Sequence, residues 1–153
     1  KHKEYFMENE EKKQTYLQMI QEPIGRMSTL SSIFKGFDAT TGAAILALSK
    51  DDLNVFTLII GLVLVILFAI MDIKYLILEK QFRMLYKLVR LEKLPVDYDV
   101  RPLSKEDYDR VCTDGKYDGS VWGCIKSFSI WLFYGPIIGV YVFLIIYVCN
   151  CKA

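Results

Sequence analysis

The sequence predicts an all-α integral membrane protein with three transmembrane helices, in which an antiparallel transmembrane hairpin carries long cytoplasmic helical extensions. Two observations support this class. First, 53% of the 153 residues are hydrophobic although 24% are charged, so the two kinds of residue must be segregated along the chain. Second, residues 55–71 and 128–149 contain no Asp, Glu, Lys, Arg or His, and about 20 apolar residues suffice to cross a bilayer. A soluble protein of this size rarely hides two such helices in its core.

The first of the three predicted spans is residues 37–49, which is shorter and contains Asp38. Alone it is too short to cross, and the alternative is a buried or interfacial helix. The polar residues 50–52 follow it and lead directly into the long apolar run. Because the second span needs a starting point on the far side, we predict that residues 37–49 cross and that residues 50–52 form the hairpin tip.

The distribution of basic residues predicts the orientation. Residues 1–35 and 74–126 hold 17 of the 19 Lys and Arg residues. Three crossings place both groups on one side, which the positive-inside rule assigns to the cytoplasm. The charged first 18 residues contain no apolar signal-peptide region. We therefore expect a cytoplasmic N-terminus and an outside C-terminus.

We expect a single membrane domain over residues 1–153, in four parts. They are a cytoplasmic N-terminal amphipathic helix (1–36), the transmembrane hairpin (37–78), a cytoplasmic stalk and loop (79–126) and the third transmembrane helix (127–149). Apolar residues three and four positions apart predict that the second span continues as one helix past Asp72. The same spacing continues through Pro23, where the first helix should kink or restart.

Two weaker signals lie in the loop that follows the stalk. Ser104 and Asp107 resemble a capping box that opens a short helix near residues 105–112. Asp-Gly pairs at residues 114–115 and 118–119 indicate turns.

Ionisable groups at membrane depth are the first candidates for function. Counting from the hairpin tip places Asp38 in the hydrocarbon and Asp72 at its inner boundary, and Lys35 can reach either carboxylate. These residues could line or gate the inner mouth of a pathway, together with Thr40 and Thr41. They could equally form a salt-bridge clamp that fixes the hairpin.

Flanking charges and small residues complete the candidate set. Arg26 is expected to reach Glu79, which precedes Arg83 by four residues on one helix face. Gly42 lies in a stretch of small residues suited to close helix packing or to facing water in an oligomeric pore. The pair Gly135 and Gly139 forms a GxxxG pattern that supports close helix association. We therefore expect a homo-oligomer.

Several function classes are excluded or disfavoured. A net charge of +1 disfavours nucleic acid as a partner. The only histidine is His2, the four cysteines match no metal-ligand or disulfide-scaffold spacing, and no phosphate-binding loop occurs. Nucleophilic catalysis needs a base beside the nucleophile, and no histidine is available inside the chain. We therefore expect no enzymatic activity, no cofactor and no metal, with the lipid bilayer as the main partner.

Two segments resemble a family of small bacterial multi-span membrane proteins, most of which are uncharacterised. Residues 19–27 (MIQEPIGRM) and 32–37 (SIFKGF) are similar to its pattern IQxxIxRM…KGW, with Phe37 in place of Trp. Residues 72–86 (DIKYLILEKQFRMLY) are similar to its pattern LDxxYLxxExxFRxLY, with Met71 in place of Leu. The resemblance implies a location in the bacterial cytoplasmic (inner) membrane.

Two functions remain open at this point. The first is a pore-forming or membrane-perturbing protein. By analogy with the architecture of other small multi-span proteins, it would be an anti-phage defence effector. A protein or a small signal would trigger it through its cytoplasmic region. The second is a non-conducting scaffold or accessory subunit that anchors a soluble cytoplasmic partner. Exposure of Asp38 and the neighbouring threonines along a polar stripe would favour a pore, whereas their burial within the protomer would favour a scaffold.

Overall fold

A computed structural model describes residues 2–48, 54–112 and 117–152. The helices are α1 (His2–Leu48), α2 (Val55–Arg90), α3 (Lys105–Val111), α4 (Val121–Ile125) and α5 (Phe128–Lys152). No strand occurs in these three ranges, so the all-α class is confirmed. The predicted hairpin tip at residues 50–52 and the predicted turn at residues 114–115 lie outside the described residues.

Helix α1 runs without interruption through Pro23, so of the two predicted outcomes the helix does not restart at this residue, and a kink there stays a prediction. Proline removes one backbone hydrogen bond from a helix and clashes with the preceding turn. Tertiary packing on both sides offsets this penalty. Ile20 is fully buried, and Ile24 packs against the same hydrophobic cluster. The helix is therefore anchored immediately before and immediately after the proline.

Helices α2 and α5 are long and apolar enough to cross a membrane. The best apolar windows of the two helices are only 28% and 17% buried, whereas a core helix of a soluble protein would be mostly covered. Helix α2 also continues past Asp72 to Arg90, as its apolar spacing predicted. No other helix in the described ranges meets the criteria for a span. The crossing of residues 37–49 therefore stays a prediction.

The chain forms two compact units, and α1 and α2 contribute to both. Unit 1 comprises the described residues of 1–29 and 75–120, and unit 2 those of 30–74 and 121–153.

Unit 1 has a hydrophobic core built from α1, α2, the loop after α2 and α3. Its buried members are Tyr16, Ile20, Phe82, Leu85, Leu88, Val89, Leu103 and Tyr108. The hydroxyl of Tyr16 points to Asp97 Oδ1 at 3.0 Å and to the Asp99 carbonyl at 2.8 Å, which ties the loop to α1. Burial raises the pKa of Tyr16 well above its ordinary value, and the hydrogen bond to Asp97 adds to the shift.

The short helix α3 begins where the capping signal predicted. The Ser104 Oγ accepts a hydrogen bond from the Asp107 backbone N–H at 3.1 Å and donates one to Asp107 Oδ2 at 2.7 Å. The capping prediction is therefore confirmed, and the helix ends at Val111.

The C-terminus of α2 is closed by backbone hydrogen bonds. The Glu92 N–H donates to the Val89 carbonyl and the Lys93 N–H donates to the Leu88 carbonyl, each at 3.0 Å. This is a Schellman motif, which usually places glycine at the left-handed position. Here Glu92 adopts it, with φ 58°. Its carboxylate binds Lys13 Nζ of α1 at 2.6 Å, so a tertiary contact holds the side chain that replaces glycine.

Unit 2 is built from the second part of α1, the first part of α2, α4 and α5. The ring of Phe34 lies 6.4 Å from that of Phe68, and Ser31 bonds to Asp72. Residues later in α1 thus meet residues earlier in α2, so the two helices run in opposite directions within this unit.

Helices α4 and α5 meet at a short break. The Lys126 N–H still bonds to the Trp122 carbonyl, the Ser127 N–H bonds to the Cys124 carbonyl, and α5 begins at the next residue. The indole of Trp122 is 74% exposed and that of Trp131, one turn into α5, is 64% exposed.

Candidate functional site: a buried polar cluster in unit 2

Two carboxylates lie inside unit 2 almost without contact with solvent. Asp38 of α1 is 1% exposed and Asp72 of α2 is 0% exposed. Fully buried aspartates are rare unless they are paired. The partners of each carboxylate therefore indicate what holds the cluster together.

Asp72 has one hydrogen-bond partner and one ion-pair partner, both on α1. The Ser31 hydroxyl donates to Asp72 Oδ1, and Lys35 Nζ lies 3.0 Å from Asp72 Oδ2 in an ion pair whose geometry falls short of a hydrogen bond. Lys35 also donates to Ser31 Oγ at 2.9 Å. Ser31 and Lys35 are one helical turn apart, so their side chains share one face of α1. Of the two carboxylates that Lys35 could reach, it pairs with Asp72.

Asp38 differs from Asp72 because no cation approaches it in the described part of the chain. Its Oδ2 atom is buried without a hydrogen-bond partner, and so is the hydroxyl oxygen of Tyr134. The hydroxyls of Tyr134 and Tyr141 both lie within electrostatic range of the Asp38 carboxyl, and Tyr134 is also close to Asp72. Tyr134 thus lies beside both carboxylates, although its geometry falls short of a hydrogen bond to either.

Tyr141 of α5 packs between two glycines of the other helices. Its hydroxyl donates to the Gly42 carbonyl at 3.3 Å, and its side chain is 1% exposed. A Cβ atom added to Gly61 would lie only 2.5 Å from the Tyr141 ring. Only glycine therefore fits at residue 61 without moving the tyrosine.

The sequence did not point to Ser31, Gly61, Tyr134 or Tyr141. The two tyrosines are seven residues apart, which places them on one face of α5, two turns from each other. This spacing of hydroxyl-bearing residues in an apolar helix is the signal that could have found them. Gly61, in a run of large apolar residues, is a second such signal.

The other small and hydroxyl-bearing residues that the sequence singled out are exposed or half-buried and lie outside the polar cluster. Thr40 is exposed, and its hydroxyl donates to the carbonyls of Gly36 and Phe37 on its own helix. Thr41 is half-buried. On α5, Gly139 is exposed, and a Cβ added there would have no atom within 4 Å.

The predicted ion pairs of unit 1 are partly rearranged. Glu79 pairs with Arg83, with Nη2 at 2.7 Å from Oε1. Arg26 is exposed and forms no ion pair with Glu79 among the described residues, so that predicted pairing is not confirmed. Glu79 and Arg83 are four residues apart on α2, so their pairing does not depend on how α1 is aligned with α2. A pair between Arg26 and Glu79 would depend on that alignment.

Side chains outside the cluster are apolar over much of unit 2. The exposed large hydrophobic residues include Phe56, Val63, Leu67, Trp131, Leu132, Phe143 and Tyr147. Unit 2 therefore combines a small buried polar cluster with a largely apolar exposed surface.

The fold and the site define a class: an all-helical protein with two helices apolar enough to cross a membrane and a polar cluster buried beside them. Comparisons with protein-family models, with curated proteins and with solved structures found no match to this chain. The resemblance to small bacterial membrane proteins therefore rests on the sequence patterns alone.

Proposed function

We propose that this chain is the subunit of an oligomeric pore-forming or membrane-perturbing protein of the bacterial inner membrane. In this proposal residues 37–49 form the first of three crossings and pair with α2 as an antiparallel transmembrane hairpin. The N-terminus is then cytoplasmic and the C-terminus lies outside. The exposed apolar surfaces of α2 and α5 support the membrane location.

The observation that carries the proposal is the unmet hydrogen-bonding capacity around Asp38. A charged side chain at the centre of a bilayer costs about 2.5–3.5 kcal/mol on insertion scales, and a buried polar group without a partner costs about 1–3 kcal/mol. A purely structural clamp would be expected to pair its charged members, as Asp72 is paired through a hydrogen bond from Ser31 and an ion pair with Lys35. We therefore infer a second conformation in which water or ions reach Asp38 and Tyr134, so that the described conformation is the closed one.

Assembly follows from the same proposal. Three helices cannot enclose a water-filled path and also shield it from lipid, so several copies are required. The open face of α5 around Gly139 supports this assembly, because small residues in a GxxxG pattern allow helix backbones to approach closely. In the defence role expected by analogy, unit 1 would receive the trigger.

One observation favours the second candidate, a non-conducting scaffold that anchors a cytoplasmic partner. Asp38 is 1% exposed within a single protomer and Thr40 bonds to its own helix, so these residues form no continuous polar stripe in the described conformation. A scaffold needs no second conformation of the cluster.

Membrane depolarisation separates the two functions. Cells would express wild-type protein, Asp38→Asn, or Asp109→Asn at matched levels. Asp109 is an exposed residue of unit 1, so this control removes the same charge from a residue that does not belong to the cluster. A pore predicts depolarisation by wild type and by Asp109→Asn, with an altered response for Asp38→Asn although its oligomer is intact. Identical depolarisation by all three would exclude a role for Asp38, and no depolarisation with the native trigger present would leave the scaffold.

A further inference from the structure

Unit 1 contains an open groove with a volume of about 390 Å³ that the polar cluster of unit 2 does not involve. It is lined by Gln21, Ile24, Arg83, Tyr86, Lys87 and Arg90. We refer to it as the basic groove. The first two residues come from α1 and the other four from α2, so the groove lies between these helices.

The charge of the basic groove is entirely positive. Arg83, Lys87 and Arg90 recur at steps of four and three, which places them on one face of α2. No carboxylate lines the groove. Glu79, four residues before Arg83, binds it through Nε at 2.8 Å and Nη2 at 2.7 Å and so fixes that guanidinium. Glu92, two residues after Arg90, pairs with Lys13 instead. Lys87 and Arg90 are exposed and have no acidic partner among the residues that the structure describes.

The polar lining adds a hydrogen-bond donor. The hydroxyl oxygen of Tyr86 accepts a hydrogen bond from Gln21 Nε2 at 3.2 Å. Since the amide supplies the proton of that bond, the phenolic proton of Tyr86 stays free to donate to a ligand. Ile24 provides an apolar wall opposite.

The position of Lys87 and Arg90 near the end of α2 has an ordinary explanation, because cations there interact favourably with the last helical carbonyls. The carbonyls of Lys87, Leu88 and Val89 already accept hydrogen bonds from the backbone N–H groups of the three residues after α2. The two side chains are thus not required to cap the helix and remain available to a ligand.

A second cavity in unit 1 gives a useful contrast. It measures about 230 Å³ and is lined by Asp97, Asp99 and Asp107 together with Arg101 and Arg110. There Arg101 pairs with Asp99 at 3.1 Å and Arg110 pairs with Asp107 at 3.2 Å. The two arginines of that cavity are paired with its own carboxylates, whereas Lys87 and Arg90 of the basic groove have no acidic partner among the described residues.

We propose that the basic groove binds a phosphate-bearing ligand. Guanidinium groups donate to phosphate in a fork geometry and lysine supplies a compact charge, so three such cations with a phenol match a phosphate or pyrophosphate group. This inference deepens the proposed function, since it gives unit 1 a small-molecule trigger, but binding itself needs no pore. The phosphate could come from a soluble metabolite or from an anionic lipid headgroup.

Isothermal titration of the purified full-length protein in a zwitterionic detergent tests the proposal, with inorganic pyrophosphate as the soluble probe and short-chain phosphatidylglycerol as the lipid probe. We expect saturable binding of at least one probe, weakened at least tenfold in the double variant Lys87→Gln, Arg90→Gln. Arg110→Gln, which removes a cation from the other cavity, should bind as wild type does. Pyrophosphate binding alone supports a soluble ligand, and phosphatidylglycerol binding alone supports a lipid headgroup.

Two outcomes would overturn the proposal: no saturable binding of either probe, or equal weakening by the groove variant and by Arg110→Gln. Circular dichroism of both variants checks that each retains the helical fold. Because the readout is binding, saturable binding without any depolarisation in cells would reject the pore and leave the basic groove standing.

Discussion

Replacing Gly61 by alanine should destabilise unit 2 through a single contact. The new Cβ would lie 2.5 Å from Tyr141 Cε1, 2.8 Å from its Oη and 2.9 Å from its Cζ. The ring has little room to move, because it is 1% exposed and its hydroxyl is bonded to the Gly42 carbonyl. The clash therefore has to be relieved by an unfavourable rotamer or by a shift of one helix.

Gly42→Ala provides the matched control from which the magnitude can be worked. Its Cβ would lie 3.6 Å from Tyr141 Oη, an ordinary contact distance. Both changes replace glycine inside a helix, which stabilises the helix by about 0.5–1 kcal/mol. Only Gly61→Ala adds overpacking, which typically costs about 1–3 kcal/mol. We expect Gly61→Ala to be less stable than Gly42→Ala by that amount.

The assay is unfolding of the two purified variants under identical detergent conditions, followed by circular dichroism. A second comparison places Gly61→Ala in a Tyr141→Ala background, where the ring is absent and the added methyl group should be tolerated. Equal stability of Gly61→Ala and Gly42→Ala would refute the packing of Tyr141 against Gly61. A cost that persisted without the tyrosine ring would refute the proposed cause.

Three further predictions concern the rest of the chain. Tyr16→Phe should lower the free energy of unfolding by about 0.5–1.5 kcal/mol, because the partly buried hydrogen bond to the Asp99 carbonyl is lost. Since burial raises the pKa of Tyr16, this advantage of wild type should shrink as the pH rises above 10.0, and chemical denaturation checks both points. The hydrogen bond from Lys13 lowers the pKa of Glu92, so Glu92→Gln should reduce the stability of the protein near neutral pH. The difference in stability between wild type and this variant should disappear as the pH falls below 4.5 and should weaken in high salt. A difference that persisted in acid would contradict the pairing. Gly139→Leu should leave protomer stability unchanged but reduce the oligomer mass measured by light scattering, whereas an unchanged mass would show that this face of α5 is not an interface.

Most of the helical architecture followed from local signals in the sequence. Helix α5 begins at Phe128 as its apolar run indicated, and α3 begins after Ser104 as its capping residue indicated. These signals act within a few residues of the helix that they define. At Pro23 the proline alone did not determine the local structure, because burial of residues on both sides of it keeps α1 continuous.

The site was predictable only in part, and for a physical reason. Counting residues from a hairpin tip was enough to bring Lys35 near Asp72, since only depth along the helices matters for that pair. The partners of Asp38 depend instead on how α5 is rotated about its axis. Every face of α5 is apolar, so hydrophobic periodicity does not indicate which side faces inward, and only the seven-residue spacing of Tyr134 and Tyr141 marks that side.

The break between α4 and α5 provides an intrinsic spectroscopic probe. The chain contains two tryptophans, and both Trp122 and Trp131 lie at this break with exposed indoles. Tryptophan emission from the intact protein therefore reports on one end of α5 alone, with no contribution from unit 1. Quenchers placed at known depths in a bilayer would measure how deeply that end lies in the membrane, and no engineered label would be needed.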